Sequence, residues 1–208
     1  MFKDRIDAGI QLAKKLNSYK DKKNVVILAI PRGGLPLGAI VAKSLNAKLD
    51  VALSNKIGHP FNKEFAIGAL SLNNIILDDN IEISIDYIEK EKKQLREKLK
   101  KRQAQYFKNR SPIALKDKIV IIIDDGIATG NTIRVTAQLV YDQKPEKIVI
   151  AIPVAPKSTV QKLNAASYID EVVCLEKPFN FQAVGQFYTD FNQVSDEEAI
   201  KVLEEFNP

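Results

Sequence analysis

Apolar residues gather in short runs spaced along the chain: 24–30 (NVVILAI), 49–53, 119–123 (IVIII), 147–152 and 170–174. Runs of this length, rich in Val and Ile and nearly free of polar interruption, predict strands buried on both faces, as in a parallel sheet. Between them the apolar period lengthens to that of a helix. Phe2, Ile6, Ile10, Ala13 and Leu16 mark a first helix, and another follows the turn Pro31-Arg32-Gly33-Gly34 through Leu45. Helices are predicted over 131–142 and 157–164. The end, SDEEAIKVLEEF, is a helix with a capping box, Ser195 as N-cap and Glu198 three residues on. Segments 66–71 and 74–77 read as short strands or a hairpin around Asn73-Asn74. Strands alternating with helices predict an α/β fold with a doubly wound parallel sheet.

The segment 84–110 breaks this rhythm. It is one long helix with a narrow apolar stripe of Ile88, Leu95, Leu99 and Tyr106, and with Glu89–Lys93 and Glu97–Lys101 placed as i,i+4 pairs. It carries ten Lys/Arg against four Asp/Glu, so it holds more than the whole net charge of +5. A basic protein suggests nucleic acid; a charge confined to one helix suggests a solvated face, with an RNA- or partner-contacting face as the other reading. The 208 residues and 45% hydrophobic content suit one domain with a real core. No apolar run approaches the roughly 18–20 residues needed to span a bilayer, and MFKDRIDAGIQLAKKL is too charged for a signal peptide. The single cysteine, Cys174, fits a reducing cytoplasm, and the single histidine, His59, leaves no His-based metal cluster.

The chemistry concentrates in IVIIIDDGIATGNTIRV, residues 119–135. A buried strand ends in Asp124 and Asp125, and Gly126, Ile127, Ala128, Thr129, Gly130, Asn131 and Thr132 lead into a helix. Ligands of open α/β sheets bind at this edge. Backbone N–H groups at a helix start cradle phosphate. Two carboxylates would repel a bare phosphate, but they accept hydrogen bonds from a sugar diol. The pattern therefore points to a sugar phosphate. It is neither a Walker loop, which needs its Lys, nor a three-glycine dinucleotide fingerprint. A second strand-to-helix loop, AIPRGGLPLG at 29–38, offers the backbone donors of Gly33 and Gly34 and the planar cation of Arg32. Residues 54–70, SNKIGHPFNKEFAIGAL, have the composition of a mobile loop.

The stretch IIIDDGIATGNT resembles the signature of the type I phosphoribosyltransferases, which bind 5-phosphoribosyl 1-pyrophosphate (PRPP). The resemblance covers almost the whole chain, and residues 176–198 are most similar to a bacterial group of predicted phosphoribosyltransferases. It implies that Asp124 and Asp125 hold the ribose hydroxyls and that Ala128 to Thr132 hold the 5-phosphate, with Gly126 and Ile127 also in the PRPP-binding turn. It implies that Arg32, Gly33 and Gly34 hold pyrophosphate, often through a strained or cis peptide. Lys56 would meet the pyrophosphate from a loop that closes over PRPP, with His59 and Lys63 as lesser candidates. A hood built from about 176–208 and the N-terminal helix would cover C1 of the sugar, completing a single domain over 1–208 with the basic helix as an insertion.

In that hood the crowded rings Phe179, Phe181, Phe187, Tyr188 and Phe191 have two readings, a small satellite core or a stacking surface for the accepting base. Phe179, Phe181 and Tyr188, with Val154 and Ala155, are the expected acceptor pocket. Ala128 stands where hypoxanthine/guanine members carry Asp, so the loop is closer to adenine and orotate members. The implied activity is Mg2+-dependent transfer of phosphoribose to a small-molecule acceptor such as a ring nitrogen, with catalysis resting on Arg32, Lys56, Asp124 and Asp125. Mg2+ would be held by PRPP and water rather than directly by protein. A homodimer is compatible with the resemblance, and no membrane or nucleic-acid partner is expected. The rival is a PRPP-sensing regulatory or RNA-binding protein on the same fold.

Overall fold

The computed structural model describes residues 1–72, 74–77, 83–108 and 110–206, with the backbone alone for 63–66. Asn73 of the expected hairpin turn and the Lys63 side chain lie outside the described residues.

Five strands form one parallel sheet in the order β2-β1-β6-β7-β8: β1 (Val25–Ala29), β2 (Lys48–Val51), β6 (Ile119–Ile123), β7 (Lys147–Val154) and β8 (Glu171–Glu176). Alternation along each strand sorts its side chains between two cores. Ile27, Ala29, Ile121, Ile123 and Val149 face α1 (Arg5–Lys15), α2 (Gly34–Leu45) and α6 (Asp196–Phe206). Val26, Leu28, Val120, Ile122 and Ile150 face α4 (Asn131–Tyr141) and α5 (Lys157–Asn164). Because both faces are covered, the strands can be apolar at every position, as β1 and β6 are.

The first helix buries a different stripe from the one its large residues suggest. Ile6 and Ile10 are 52% and 45% exposed, while Ala8, Gly9, Leu12 and Ala13 are buried. The cause is close packing: a Cβ on Gly9 would lie 3.1 Å from Ile40 Cβ of α2. Small residues face the neighbour, so the bulky Ile side chains turn outward.

Residues 54–70 also depart from the expectation of a mobile loop. They form β3 (Asn55–His59) and β4 (Asn62–Leu70), which with β5 (Ile75–Leu77) make a three-stranded antiparallel sheet. Ile57, Ile67 and Leu70 pack on Leu99 of α3 (Ile85–Phe107). This small core outweighs the loop-like Gly and Asn content.

On α3 the ion pairs within bonding distance among the described residues are i,i+3, Lys92–Glu89 and Lys100–Glu97, each at 2.9 Å, with Lys101 acting on Glu97 at longer range. Part of the helix's charge is answered by α6. Tyr106 donates to Asp196 at 2.6 Å, Arg102 lies 3.7 Å from Asp196, and Lys108 pairs with Glu204. The capping box of α6 forms in both directions, Ser195 N to Glu198 Oε2 at 2.7 Å and Glu198 N to Ser195 Oγ at 3.1 Å. The segment before it returns to the chain start, where Phe2 and Tyr188 form a bridge. No described helix is long and apolar enough to cross a membrane.

Candidate active site

Strands β1 and β6 are neighbours in register, Ala29 beside Ile123, so the loops leaving them open side by side at one edge of the sheet. The amide of Ile30 donates to the Ile123 carbonyl at 2.8 Å, which carries the pairing one step into the loops. Gly126 has φ +151 and Gly130 φ +75, conformations that disfavour any residue with a Cβ. The turn between them is braced from below. Ile127 N donates to Val154 O of β7 at 3.1 Å, and Thr159 Oγ1 of α5 donates to the Ala128 carbonyl at 2.6 Å. Among the described residues, the amides of Ala128, Thr129, Gly130 and Thr132 donate to no protein group. Ala128, Thr129 and Thr132 are exposed. These open amides at the start of α4 are a seat for an anion.

The other loop presses against this one. The peptide Pro31–Arg32 is cis. A Cβ on Gly34 would lie 2.8 Å from the Ile123 carbonyl oxygen, so the start of α2 rests on the end of β6. A Cβ on Gly33 would lie 1.9 Å from Asp125 Oδ2. Arg32 is half-buried, has no acidic partner among the described residues, and lines an open cleft of about 500 Å3 with Gly33, Asp125, Val184 and Phe191.

Burial pushes the Asp124 carboxyl well above the usual carboxylate range, and the neighbouring charge of Asp125 pushes it further. Asp125 is raised by burial too, against the opposing pull of Arg5. Arg5 is the residue that sequence reasoning missed. Its Nε donates to Asp125 Oδ2 at 2.8 Å across most of the chain's length, and no spacing or motif announces the pair. Tyr188 adds a hydroxyl that donates to the Asp125 carbonyl at 2.6 Å.

The model of the phosphoribosyl transferase domain matches residues 2–191. The chain belongs to this family. Two Mycobacterium tuberculosis proteins provisionally named phosphoribosyl transferases, MT0597 of strain CDC 1551 and Rv0571c of strain H37Rv, are each 41% identical over 212 residues. The match covers 98% of this chain and 46% of theirs, so the chain spans about half the length of the curated relatives it matches. The crystal structure of TT1426 from Thermus thermophilus superposes with a TM-score of 0.91 at 36% identity, covering 99% of this chain and 98% of that one. AQ2163 of Aquifex aeolicus, at 15% identity and a TM-score of 0.51 over 82% of this chain and 73% of that one, shares the fold.

Within this phosphoribosyl transferase domain the expected residues divide. Arg32, Gly33, Asp124, Asp125 and the turn 126–132 come together. Lys56 lies on β3, paired with Ala69 of β4, and is not among the described walls of the Arg32 cleft. His59 Nδ1 accepts from Phe61 N at 3.2 Å, closing the β3–β4 turn.

The expected acceptor residues are placed differently. Val154 and Ala155 are fully buried, Val154 beneath Gly126. Phe179 is 98% exposed. Phe181 stacks on Phe187 with centroids 5.5 Å apart. Tyr188 is buried, 5.3 Å from Phe2 and 4.8 Å from Phe191. Phe181, Phe187, Tyr188 and Phe191 pack on the protein's own core, and Phe179 does not. The apolar wall that faces the cleft is instead Val184, Phe191 and Val194.

Proposed function

We propose that this domain transfers a phosphoribosyl group from PRPP to a ring nitrogen of a small heterocyclic acceptor, releasing pyrophosphate. The observation that carries the reading is the meeting of three features on adjacent strand ends: the open-amide turn 126–132, the paired acids Asp124 and Asp125, and the Arg32 loop. The 5-phosphate would sit on the amides of Ala128 to Thr132 with the Thr129 and Thr132 hydroxyls. The ribose hydroxyls would donate to the carboxylates. Each hydroxyl donated to a buried carboxylate favours its ionised form, so the ligand offsets part of the cost of ionising the two acids side by side.

In the reaction the C1–oxygen bond breaks, its electron pair leaves with pyrophosphate, and the acceptor nitrogen forms the new bond to C1. Charge at C1 is oxocarbenium-like, as in glycoside cleavage, and no protein nucleophile is required. Arg32 would stabilise the departing pyrophosphate from the β1 loop, and Lys56 from the small sheet. The donor set suits Mg2+. Two carboxylates stand near the sugar site, and among the described residues no three His, Cys, Asp or Glu side chains converge into a protein cage. A hard, strongly hydrated ion that keeps water and substrate oxygens as ligands needs no such cage. When bound, Mg2+ supplies charge neutralisation to the leaving group. The cleft wall of Val184, Phe191 and Val194 is the place for the acceptor ring.

The test is PRPP-dependent pyrophosphate release, with Mg2+, across a panel of purines, pyrimidines and related rings. At least one acceptor should support turnover. PRPP binding with no release across the panel would favour a PRPP sensor. No PRPP binding at all would end the proposal.

A further inference from the structure

We propose that Arg5 is the positioning residue for Asp125, seating one carboxylate oxygen so that the other faces the ribose. This rests on the ribose role of Asp125 given above.

Arg5 leaves the first turn of α1 and is held three ways. Its Nε donates to Asp125 Oδ2 at 2.8 Å, and its Nη1 donates to the Asn192 carbonyl at 2.8 Å. Its guanidinium lies 4.0 Å over the Phe191 ring. A planar fork with stacked and hydrogen-bonded faces has little freedom left. The pair is shielded, at 12% and 13% side-chain exposure, so the discount that applies to surface ion pairs does not apply.

Asp125 is confined from its other sides. Oδ2 abuts Gly33, where even a methyl would collide, and its backbone carbonyl accepts from Tyr188. The carboxyls of Asp124 and Asp125 also lie within hydrogen-bonding reach of each other; with Oδ2 engaged by Arg5, Oδ1 is the oxygen that a ligand hydroxyl would take.

The helix itself is anchored elsewhere, through Ala8, Leu12, Ala13 and Leu16. Arg5 meets the edge of that core at Phe191, over whose ring its guanidinium lies. Its hydrogen bonds go to a carboxylate at the site and to the segment that carries Phe191, a wall of the cleft. Sequence-distant parts of the chain therefore meet at one side chain, whose polar end, among the described residues, is given to Asp125 and the Asn192 carbonyl.

The experiment is calorimetric titration of the full chain with PRPP and Mg2+. It compares the wild type, Arg5→Gln, Arg5→Lys, Asp125→Asn and the double variant Arg5→Gln/Asp125→Asn, with thermal melts of each. Arg5→Gln should weaken PRPP binding about tenfold or more, the loss of one charge-assisted bond that orients a ligand group. Arg5→Lys should recover part of it. In the Asp125→Asn background Arg5→Gln should cost little more, because the two act as one unit.

Wild-type affinity in Arg5→Gln, or the same fold-loss with and without Asp125, overturns the positioning role while leaving the ribose reading intact. A lowered melting point with unchanged affinity marks Arg5 as structural and overturns it equally. If Arg5→Gln does not fold, the cycle built with Arg5→Lys carries the same comparison. A wild type that binds no PRPP overturns both readings.

Discussion

Gly33 and Asp125 stand so close that a side-chain carbon on Gly33 would lie 1.9 Å from Asp125 Oδ2. Gly33 has ordinary right-handed helical angles, φ −62 and ψ −27, so its backbone would accept any residue. Its need for glycine is purely one of space. Gly33→Ala must displace the carboxylate, the Arg32 loop, or both. Overpacking of this kind costs about 1–3 kcal/mol. The expected outcome is a lower thermal midpoint together with PRPP affinity reduced about tenfold or more, as a ligand-facing group is pushed from its seat. Calorimetry alongside thermal melts checks it; intact PRPP affinity would show that the loop yields and the acid does not.

The acid pair sets a pH dependence of stability. Both carboxyls titrate above their ordinary range in the fold, Asp124 from burial and then the Asp125 charge, Asp125 from burial. In the unfolded chain they titrate near about 3.9. Between that value and the raised folded value, the native state holds more protons than the unfolded one, so stability falls as pH rises. The penalty is complete once the folded pair has ionised. Asp124→Asn removes it, so the variant should melt higher than the wild type at neutral pH, with the gap closing near about pH 3, below the unfolded value. The double variant Asp124→Asn/Asp125→Asn should give back part of that gain, because Arg5 loses its charged partner, and should lose PRPP binding. A wild type whose midpoint does not decline relative to Asp124→Asn as pH rises would contradict the burial argument.

Much of this architecture was legible in the chain. The runs at 24–30 and 119–123 read as doubly buried strands from their length and Val/Ile content, and Gly130 and the Asp pair announced the loop that follows. What escaped was set by contacts between distant segments. Arg5 carries no local signal, because its partner lies across the chain. Ile6 and Ile10 look like core residues until the α1–α2 approach at Gly9 is known. Residues 54–70 look like a loop because their core is supplied by Leu99, far away on α3. Tyr188 shows why a cluster of rings does not by itself mark a base pocket: its ring packs inward against Phe2 and Phe191, and it is Phe191, with Val184 and Val194, that lines the cleft.

The turn 126–132 should bind inorganic phosphate or sulfate, and Thr159 should matter to it without touching the ion. Thr159 Oγ1 holds the Ala128 carbonyl at 2.6 Å, and its methyl lies under Gly130. Thr159→Val keeps the shape and deletes the bond. A net loss of about 1 kcal/mol in stability is expected, with phosphate affinity reduced several-fold because the amides of the turn lose their brace. Titration of phosphate into both proteins decides it; equal affinities would make Thr159 a packing residue only.

Lys56→Ala should lower turnover far more than it weakens PRPP in the ground state. The β3–β4 sheet that carries Lys56 is tied to α4 by the Ser54–Thr136 hydroxyl contact at 2.9 Å, and Thr136 Oγ1 in turn donates to the Thr132 carbonyl at 3.0 Å. That chain of bonds links the sheet to the turn proposed for the 5-phosphate. If the ammonium meets the pyrophosphate as its charge develops, losing the contact costs about 3–4 kcal/mol, a hundredfold or more in rate. The split between kcat and KM with the best acceptor from the panel is the measurement; a raised KM with normal kcat would assign Lys56 to uniform binding.

The placement of β1 beside β6 has a consequence for how the protein comes into being. Ala29 and Ile123 are neighbours in the sheet, yet everything from Ile30 to Lys118 is threaded between them. A chain emerging from the ribosome exposes the Arg32 loop early and can do nothing with it until the sixth strand arrives. Pairings across such separations form late and slowly, since the intervening loop must close before any contact rewards it. Acquisition of phosphate affinity during refolding is therefore a clock for one event, the docking of these two strands, and it should lag behind collapse and helix formation by a measurable interval.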